Sequence, residues 1–231
     1  MTQQTRLVEV RQKVLKQNDV VARELRQGFH DAGVLVVSLV SSPGSGKTYF
    51  LERILTDMAK RHRVAALVGD LATDNDAARL ARSGAPVKQI TTGTVCHLEA
   101  EMVRSALTDW IKPDVEILFI ENVGNLVCPS SYDLGEDLRL VLMSVTEGED
   151  KPLKYPTIFN TADVAVITKM DLAAAVEFDS NTAKASINSV RPGMTIFEVS
   201  AKTGKGMDDL LQLIESRYAS AQSRRSVADV E

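Results

Sequence analysis

Lys47 and Thr48 close a loop of small residues, Ser41, Ser42, Pro43, Gly44, Ser45 and Gly46. A cation and a hydroxyl set behind glycines suit a phosphate chain. Gly44 and Gly46 let the backbone approach phosphate oxygens with no Cβ in the way. A helix starting near Lys47 turns unpaired N–H groups and the positive end of its dipole toward the same oxygens. Lys47 is expected to reach the β- and γ-phosphates, and the Thr48 hydroxyl to join a Mg2+ shell. Ser41 stands where the general Walker A spacing has glycine, a departure the loop is expected to tolerate.

Acids belong at the ends of neighbouring strands. The apolar run Ile117, Leu118, Phe119 and Ile120 ends in Glu121, followed by Asn122, Val123 and Gly124. This is a switch pattern with glutamate in the usual aspartate position, and glycine there lets a backbone N–H face a γ-phosphate. Asp70 ends another apolar run and is read as lying beside the phosphate loop, to hold a water of the Mg2+ shell or to orient the attacking water. Asp74 and Asp76, with Thr73 and Asn75, read equally as caps of the next helix or as nucleotide contacts. Lys47, Asp70 and Glu121 are the candidate catalytic residues, and Thr48, Asp70 and Glu121 the Mg2+ set. Asn125 follows Gly124 where a water-positioning glutamine would speed hydrolysis, so intrinsic turnover is expected to be slow.

Farther along, Thr168, Lys169, Met170 and Asp171 stand where a guanine-recognition loop would read Asn-Lys-x-Asp. A carboxylate at Asp171 accepts from guanine N1–H and its exocyclic amine, whereas adenine would leave that acceptor unpaired. Lys169 would lay its alkyl stem along the base. Ser200, Ala201 and Lys202 match the loop whose backbone supports guanine O6. Thr168 has no amide, which predicts weaker bracing of the loop with specificity retained. With Gly44, Ser45, Gly46, Lys47 and Thr48, these residues form the candidate nucleotide site.

Cys96 and His97 are adjacent, and Cys128 lies four residues beyond Gly124. Two thiolates and an imidazole suit zinc or nickel, and water, Glu99, Glu101 or a second subunit would complete a tetrahedral shell. On spacing alone, core packing and a metal site both stand. His30 and His62 show no ligand spacing.

The elements that must position these residues follow from patterning. Short apolar runs at 34–40, 64–68, 87–90, 115–120, 140–145, 164–167 and 195–199 read as strands. Helical patterns from Lys47 and near 76–82, 98–110, 182–190 and 207–217 lie between most of them. Such alternation predicts an α/β fold: a mostly parallel sheet with helices on both faces. Leu7, Val10, Val14, Val21 and Leu25 predict an amphipathic N-terminal helical segment over 1–30, packed on the main unit and broken near Asn18 and Asp19, with Arg11, Lys13 and Lys16 on its solvated face. Residues 31–217 are expected to form the nucleotide-hydrolysing unit and 218–231 a flexible tail. The chain has 231 residues, 44% hydrophobic and 25% charged, with a net charge of −4, which suits a packed core and gives no electrostatic footprint for nucleic acid. Neither a signal pattern nor an apolar run long enough to span a membrane occurs, and two cysteines make no disulfide framework, so a cytoplasmic protein is expected.

Together, the phosphate loop, Gly69 and Asp70 with 73–76, Thr91 to Gly93 with Cys96, His97 and Leu98, Glu121 to Pro129, and Lys151 to Pro156 resemble the hydrogenase nickel-incorporation GTPases, HypB, of the SIMIBI class of P-loop NTPases. The likeness spans about residues 6–217. It implies a GTPase that delivers nickel to the large-subunit precursor of a nickel–iron hydrogenase, working with a small zinc-containing nickel chaperone. Its implied ligands are GTP or GDP, Mg2+, and Ni2+ or Zn2+. It also implies a nucleotide- or metal-dependent homodimer, with Cys96, His97 and Cys128 matching the family's metal ligands at the subunit interface. The N-terminal cysteine motif and histidine-rich stretch of some members do not occur in these residues. Rival readings are a related GTPase serving urease, whose motif is Cys-Pro-His, and a GTP-dependent regulatory switch that moves no metal.

Overall fold

The apolar runs of the sequence become seven parallel strands in one sheet, and the computed structural model describes residues 3–70, 75–108, 110–112 and 114–228 of the chain, with side chains from residue 12 to residue 223 of that set. Helix α1 (Gln3–Ala32) leads into β1 (Leu35–Ser41), α2 (Lys47–Met58), β2 (Val64–Asp70), α3 (Asn75–Leu80), β3 (Val87–Thr91), α4 (Ala100–Leu107) and β4 (Ile117–Glu121). Then come β5 (Leu138–Ser144), α5 (Lys151–Lys154), α6 (Pro156–Thr161), β6 (Val164–Thr168), α7 (Ser180–Val190), β7 (Thr195–Glu198) and α8 (Met207–Ala228). The strand order is β3-β2-β4-β1-β5-β6-β7, with β1 held between β4 and β5 in the registers Leu35 to Ile117 and Val37 to Leu138.

Central strands are apolar on both faces because both faces are covered. Leu35, Val37 and Leu39 of β1 pack with Phe50, Leu51 and Ile54 of α2 and with Leu210 and Ile214 of α8. Val36, on the opposite face, joins Leu67, Leu118 and Ile120 under Phe29 of α1 and Val103 of α4. A third cluster joins Val141, Met143 and Ile167 to Phe159 of α6 and Ile187 of α7. Since all strands run parallel, every loop that follows a strand emerges at one edge, and that edge is where α/β sheets bind ligands.

Three sequence expectations need correction. Helix α1 is unbroken at Asn18 and Asp19. Asn18 is buried and its side chain turns outward from its own backbone, donating to Asp133 O at 2.8 Å and accepting from Ala100 N at 2.8 Å. Val14 is exposed, while Val21, Ala22 and Phe29 carry the packing; the side chains of Leu7, Val10 and Arg11 lie outside the described residues. Helix α8 continues to Ala228, past the tail boundary expected after 217. Tyr218 Oη donates to Glu116 Oε1 at 3.1 Å and Gln222 Nε2 to Gly33 O at 2.6 Å, anchoring it to the body.

Candidate nucleotide and metal site

Between the end of β1 at Ser41 and the start of α2 at Lys47, Gly44 and Gly46 take left-handed conformations, with φ of 76° and 89°. Such φ values are open to glycine at no steric cost, so the loop can curl back under its own helix. No side chain caps α2, which leaves its first-turn N–H groups to the cleft. The Ser41 departure has a local use: Ser45 Oγ donates to Ser41 Oγ at 2.7 Å inside the buried loop. Lys47 Nζ and Thr48 Oγ1 both donate to Glu121 Oε1, each at 2.8 Å. Glu121 is 1% exposed and its Oε2 is buried without a hydrogen-bond partner. An orphaned carboxylate oxygen beside a threonine hydroxyl is the hard-oxygen donor set that Mg2+ takes.

Asp70 needs one correction. β2 is separated from β1 by β4, so Asp70 does not end the strand next to the phosphate loop. It reaches the same place across Glu121, lining a cleft of ≈ 420 Å³ with Lys47, Thr48, Gly124 and Asp76. Asp76 sits in the first turn of α3, while Thr73 and Asp74 lie outside the described residues.

A second cleft of ≈ 240 Å³ opens beside the first, lined by Ser45, Phe50, Thr168, Lys169, Asp171, Ala201 and Lys202. Lys169 has a left-handed φ of 60° and its Nζ donates to Gly44 O at 2.7 Å, so its stem crosses from the β6 loop onto the phosphate loop. Thr168 braces the loop by a different route from an asparagine amide. Its hydroxyl is near Ser45 O at 2.9 Å and Met143 O at 3.3 Å, a link from strand end to phosphate loop made without an amide. Ser200 Oγ donates to Asp171 Oδ1 at 2.6 Å, and Met170 N donates to Val199 O at 3.1 Å, so the two base-side loops hold each other.

Cys96, His97 and Cys128 converge: their ligand atoms all lie within 4.8 Å of one another, with the two Sγ atoms 3.1 Å apart. His97 is buried and neither ring nitrogen has a hydrogen-bond partner; Glu99 Oε1 stands at 3.5 Å from Nε2, an ion-pair distance without hydrogen-bond geometry. Burial pushes the imidazole pKa down against the opposing charge of Glu99, favouring the neutral form that can ligate. The hydrogen bond with Cys128, then burial, pushes the Cys96 thiol up. Tyr132 lies against the imidazole with ring centroids 4.0 Å apart, fixing its plane. Two thiols and an imidazole with unsatisfied nitrogens fit a borderline-soft cation such as nickel or zinc.

This cluster is joined to the phosphate cleft by one loop. A Cβ placed on Gly124 would meet Pro43 N and Cα at 3.1 Å, so the segment after β4 lies directly on the phosphate loop. The next residue, Asn125, donates to Cys96 O at 3.2 Å, and its Oδ1 accepts from Val127 N at 2.9 Å, one residue before Cys128. Asn122 Oδ1 accepts from both Leu98 N at 3.0 Å and Val123 N at 2.9 Å.

Sequence reasoning passed over several of these positions. Glu147 accepts from Ser42 Oγ in the phosphate loop, pairs with Lys151 at 3.0 Å and closes a capping box with Ser144. The spacing from Ser144 to Glu147 was a readable signal. Asn122 and Tyr132 carried none, since their partners are distant in sequence. His30 and His62 stay away from the cluster, His30 bonding Asp137 at 2.6 Å and His62 lying near Glu116 and Glu215.

The family described as CobW/HypB/UreG, nucleotide-binding domain, matches residues 35–198. The chain is similar to the hydrogenase maturation factor HypB of Rhizobium leguminosarum bv. viciae, 44% identical over 97% of this chain and 75% of the relative. It is also similar to the hydrogenase/urease maturation factor HypB of Helicobacter pylori strain 26695, 42% identical over 95% and 92% of the two chains. Among solved structures, HypB from Helicobacter pylori in complex with nickel superposes with a TM-score of 0.83 at 41% identity, covering 88% of this chain and 96% of that one. The maturation factor HypB from Archaeoglobus fulgidus gives 0.82 at 37% identity, covering 88% and 99%. A signal recognition particle 54 kDa protein from Aeropyrum pernix in complex with GDP, 17% identical with a TM-score of 0.54 over 81% and 50% of the two chains, shares the fold alone.

Proposed function

The chain belongs to the CobW/HypB/UreG family and within it to the hydrogenase maturation factors HypB, and from that premise we propose that it is a GTP-hydrolysing metallochaperone that delivers nickel during maturation of nickel–iron hydrogenase. One observation carries this: Cys128 of the Cys96, His97 and Cys128 cluster lies on the loop whose Gly124 packs on the phosphate loop, and Asn125 of that loop bonds the Cys96 carbonyl. A thiolate site without a nucleotide cleft would be a metal store, and a cleft without the site would be a bare switch.

In the proposed reaction, Lys47 gives up its bond to Glu121 and neutralises the β- and γ-phosphates. Thr48, Glu121 and Asp70 would hold Mg2+, which supplies charge neutralisation on the phosphate chain when bound. Asp70 orients the attacking water, and the Gly124 N–H meets the γ-phosphate. The base lies in the smaller cleft, where Asp171 accepts from its Watson–Crick edge and Ser200, Ala201 and Lys202 frame its carbonyl. Nickel is the cargo, taken by Cys96, His97 and Cys128 as neutral imidazole and thiolates. Three donors leave one tetrahedral position, which a second copy of the chain would fill. Val127, exposed and next to Cys128, is an apolar contact available to that copy. The body from β1 through α8 acts as the GTPase unit with α1 packed on it through Val21, Ala22 and Phe29, in the cytoplasm; no described helix is long and apolar enough to cross a membrane. A zinc-containing nickel chaperone is the expected donor, and the hydrogenase large-subunit precursor the recipient.

The names of the Helicobacter relatives include urease, so urease maturation is the second reading. Nickel loading of isolated apo-hydrogenase and apo-urease by the charged protein separates the two. The test of the leading reading is phosphate release from GTP against ATP, combined with equilibrium dialysis of nickel and zinc for the parent, Cys96→Ala and Cys128→Ala. Equal metal uptake by all three would remove the chaperone role and leave a GTPase.

A further inference from the structure

We infer that Arg79 is a catalytic residue of the proposed GTPase, its guanidinium contacting the terminal phosphate and stabilising the charge that develops there; this rests on the GTPase reading above. Three observations carry it. Arg79, on α3, lines the same ≈ 420 Å³ cleft as Lys47, Thr48 and Gly124. The cations lining that cleft are Lys47 and Arg79, set against Asp70 and Asp76. Lys47 is buried against Glu121 and serves the ground-state phosphates, so Arg79 is the second positive charge a cleaving triphosphate would meet. Finally, Arg79 rests on the phosphate helix itself. Its Nε donates to Glu52 Oε2 at 2.9 Å and its guanidinium carbon stands 5.0 Å from the centre of the Tyr49 ring. Tyr49 and Glu52 stand one and four residues beyond Thr48, so the parked guanidinium is docked on the first turns of the helix that receives the phosphates.

The chemistry asks for such a group. Water oxygen forms a bond to the γ-phosphorus while the bond from that phosphorus to the β–γ bridging oxygen breaks. The electron pair stays on the bridging oxygen, giving GDP, and the water proton leaves with inorganic phosphate or to solvent. Negative charge grows on the bridging oxygen and is spread over the three oxygens of the departing γ-phosphoryl group, and a planar fork of N–H donors in cis matches two of those γ-oxygens as a point charge on a lysine does not. Because the bond to Glu52 uses Nε and the side chain is 43% exposed, the Nη groups can turn to the cleft by rotation about side-chain bonds.

The experiment is single-turnover GTP hydrolysis by the full chain, with binding of GDP and of a non-hydrolysable GTP analogue measured beside it, for the parent, Arg79→Ala, Arg79→Lys and Glu52→Gln. Arg79→Ala should cleave at least ~10²-fold more slowly while its GDP affinity stays within about threefold, because GDP lacks the phosphate that Arg79 meets. Added guanidinium ion should restore part of that rate, Arg79→Lys should recover only a fraction, and Glu52→Gln should cleave no slower than the parent. Cleavage by Arg79→Ala within about twofold of the parent overturns the assignment and leaves the GTPase reading standing. Equal loss of GDP and analogue affinity with a lowered Tm also overturns it, since Arg79 would then be a brace between α3 and α2. A parent that binds GDP yet releases no phosphate from GTP sinks both readings.

Discussion

At the scale of single residues, Thr168 shows how a departure from a motif keeps its work. Its side chain is buried and spans from β6 to the carbonyl of Ser45, so the phosphate loop and the base loop are tied to each other. Thr168→Val keeps the volume and deletes the hydroxyl, leaving the Ser45 carbonyl without its partner. The loss should weaken GDP binding about tenfold, from ~1–1.5 kcal/mol of unmade hydrogen bond, in a fluorescence titration; undiminished affinity would mean the link is idle. Glu99 makes a second case. A ligating histidine usually gives its other N–H to a carboxylate, and Glu99 stands 3.5 Å from His97 Nε2. Glu99→Gln should therefore lower nickel affinity ~10-fold with the thiolate-to-metal absorption unchanged in form. Much of the candidate site was legible from neighbours in sequence: Lys47 with Thr48, Glu121 with Gly124, Lys169 with Asp171. Asn122, Tyr132 and Arg79 were not, because each acts on a partner that only folding brings near, and a lone polar residue has no spacing to read. Asp70 was legible as an acid of the cleft and misplaced by one strand, since strand order is a property of the sheet and not of any run of residues.

Elements tell a similar story with different physics. The central strands were readable because a strand covered on both faces is largely apolar, as the fully buried β1 shows with Ser38 and Ser41 its polar exceptions. The short helices α5 and α6 were not, since four and six residues are too few to display a period. Helix α1 defeated a local rule for another reason. Asn18 and Asp19 have the composition of a break, yet Asn18 spends both ends of its amide on Ala100 and Asp133. Asn18→Ala would strand a buried N–H and a carbonyl, costing about 2 kcal/mol; the expected readout is a lower Tm with faster amide exchange at Ala100. The same helix is clamped by Arg26, whose Nη2 lies 2.6 Å from Asp133 Oδ1. Burial pulls the Asp133 pKa up, but the Arg26 bond, the Gly135 N–H and the Arg26 charge hold it below the ordinary 3.8. A carboxyl lowered in the folded state stabilises fully above its unfolded pKa, and that share fades as pH falls through the folded value. Acid unfolding followed by circular dichroism should thus show Asp133→Asn nearer to the parent below pH ~3 than at pH ~6, since the pair is partly exposed and is worth about 1 kcal/mol or less. A gap between the two that widens in acid would contradict the sign.

Over the whole molecule, parallel strands put the phosphate loop, the base loops and the thiols at one edge, and the loop after β4 is the piece that joins the phosphate loop to the thiols. Gly124 touches Pro43 on the phosphate side, and Asn125 holds Cys96 O and the N–H of Val127 on the thiol side. If a γ-phosphate draws Gly124 toward itself, the expected consequence is that Asn125 follows and the spacing of Cys96 and Cys128 changes. Coupling of this kind is reciprocal: if a GTP analogue changes nickel affinity by some factor relative to GDP, nickel changes the analogue-to-GDP affinity ratio by the same factor. A coupling of ~1–3 kcal/mol, about five- to 150-fold, is the ordinary range. Asn125→Ala removes the tie while leaving Lys47, Asp171 and the side chains of Cys96, His97 and Cys128 in place. Nickel should still bind this variant, and GDP should too, but the ratio of nickel affinities in the two nucleotide states should collapse toward one. Gly124→Ala should act from the other end, because its Cβ at 3.1 Å from the Pro43 backbone asks the two loops to part by a few tenths of an ångström. Isothermal titration of nickel into each variant, once with GDP and once with the analogue, measures all four affinities. If both variants keep the parent's ratio, the message between phosphate and thiol travels by some other route than this loop, and the case for its being the switch fails.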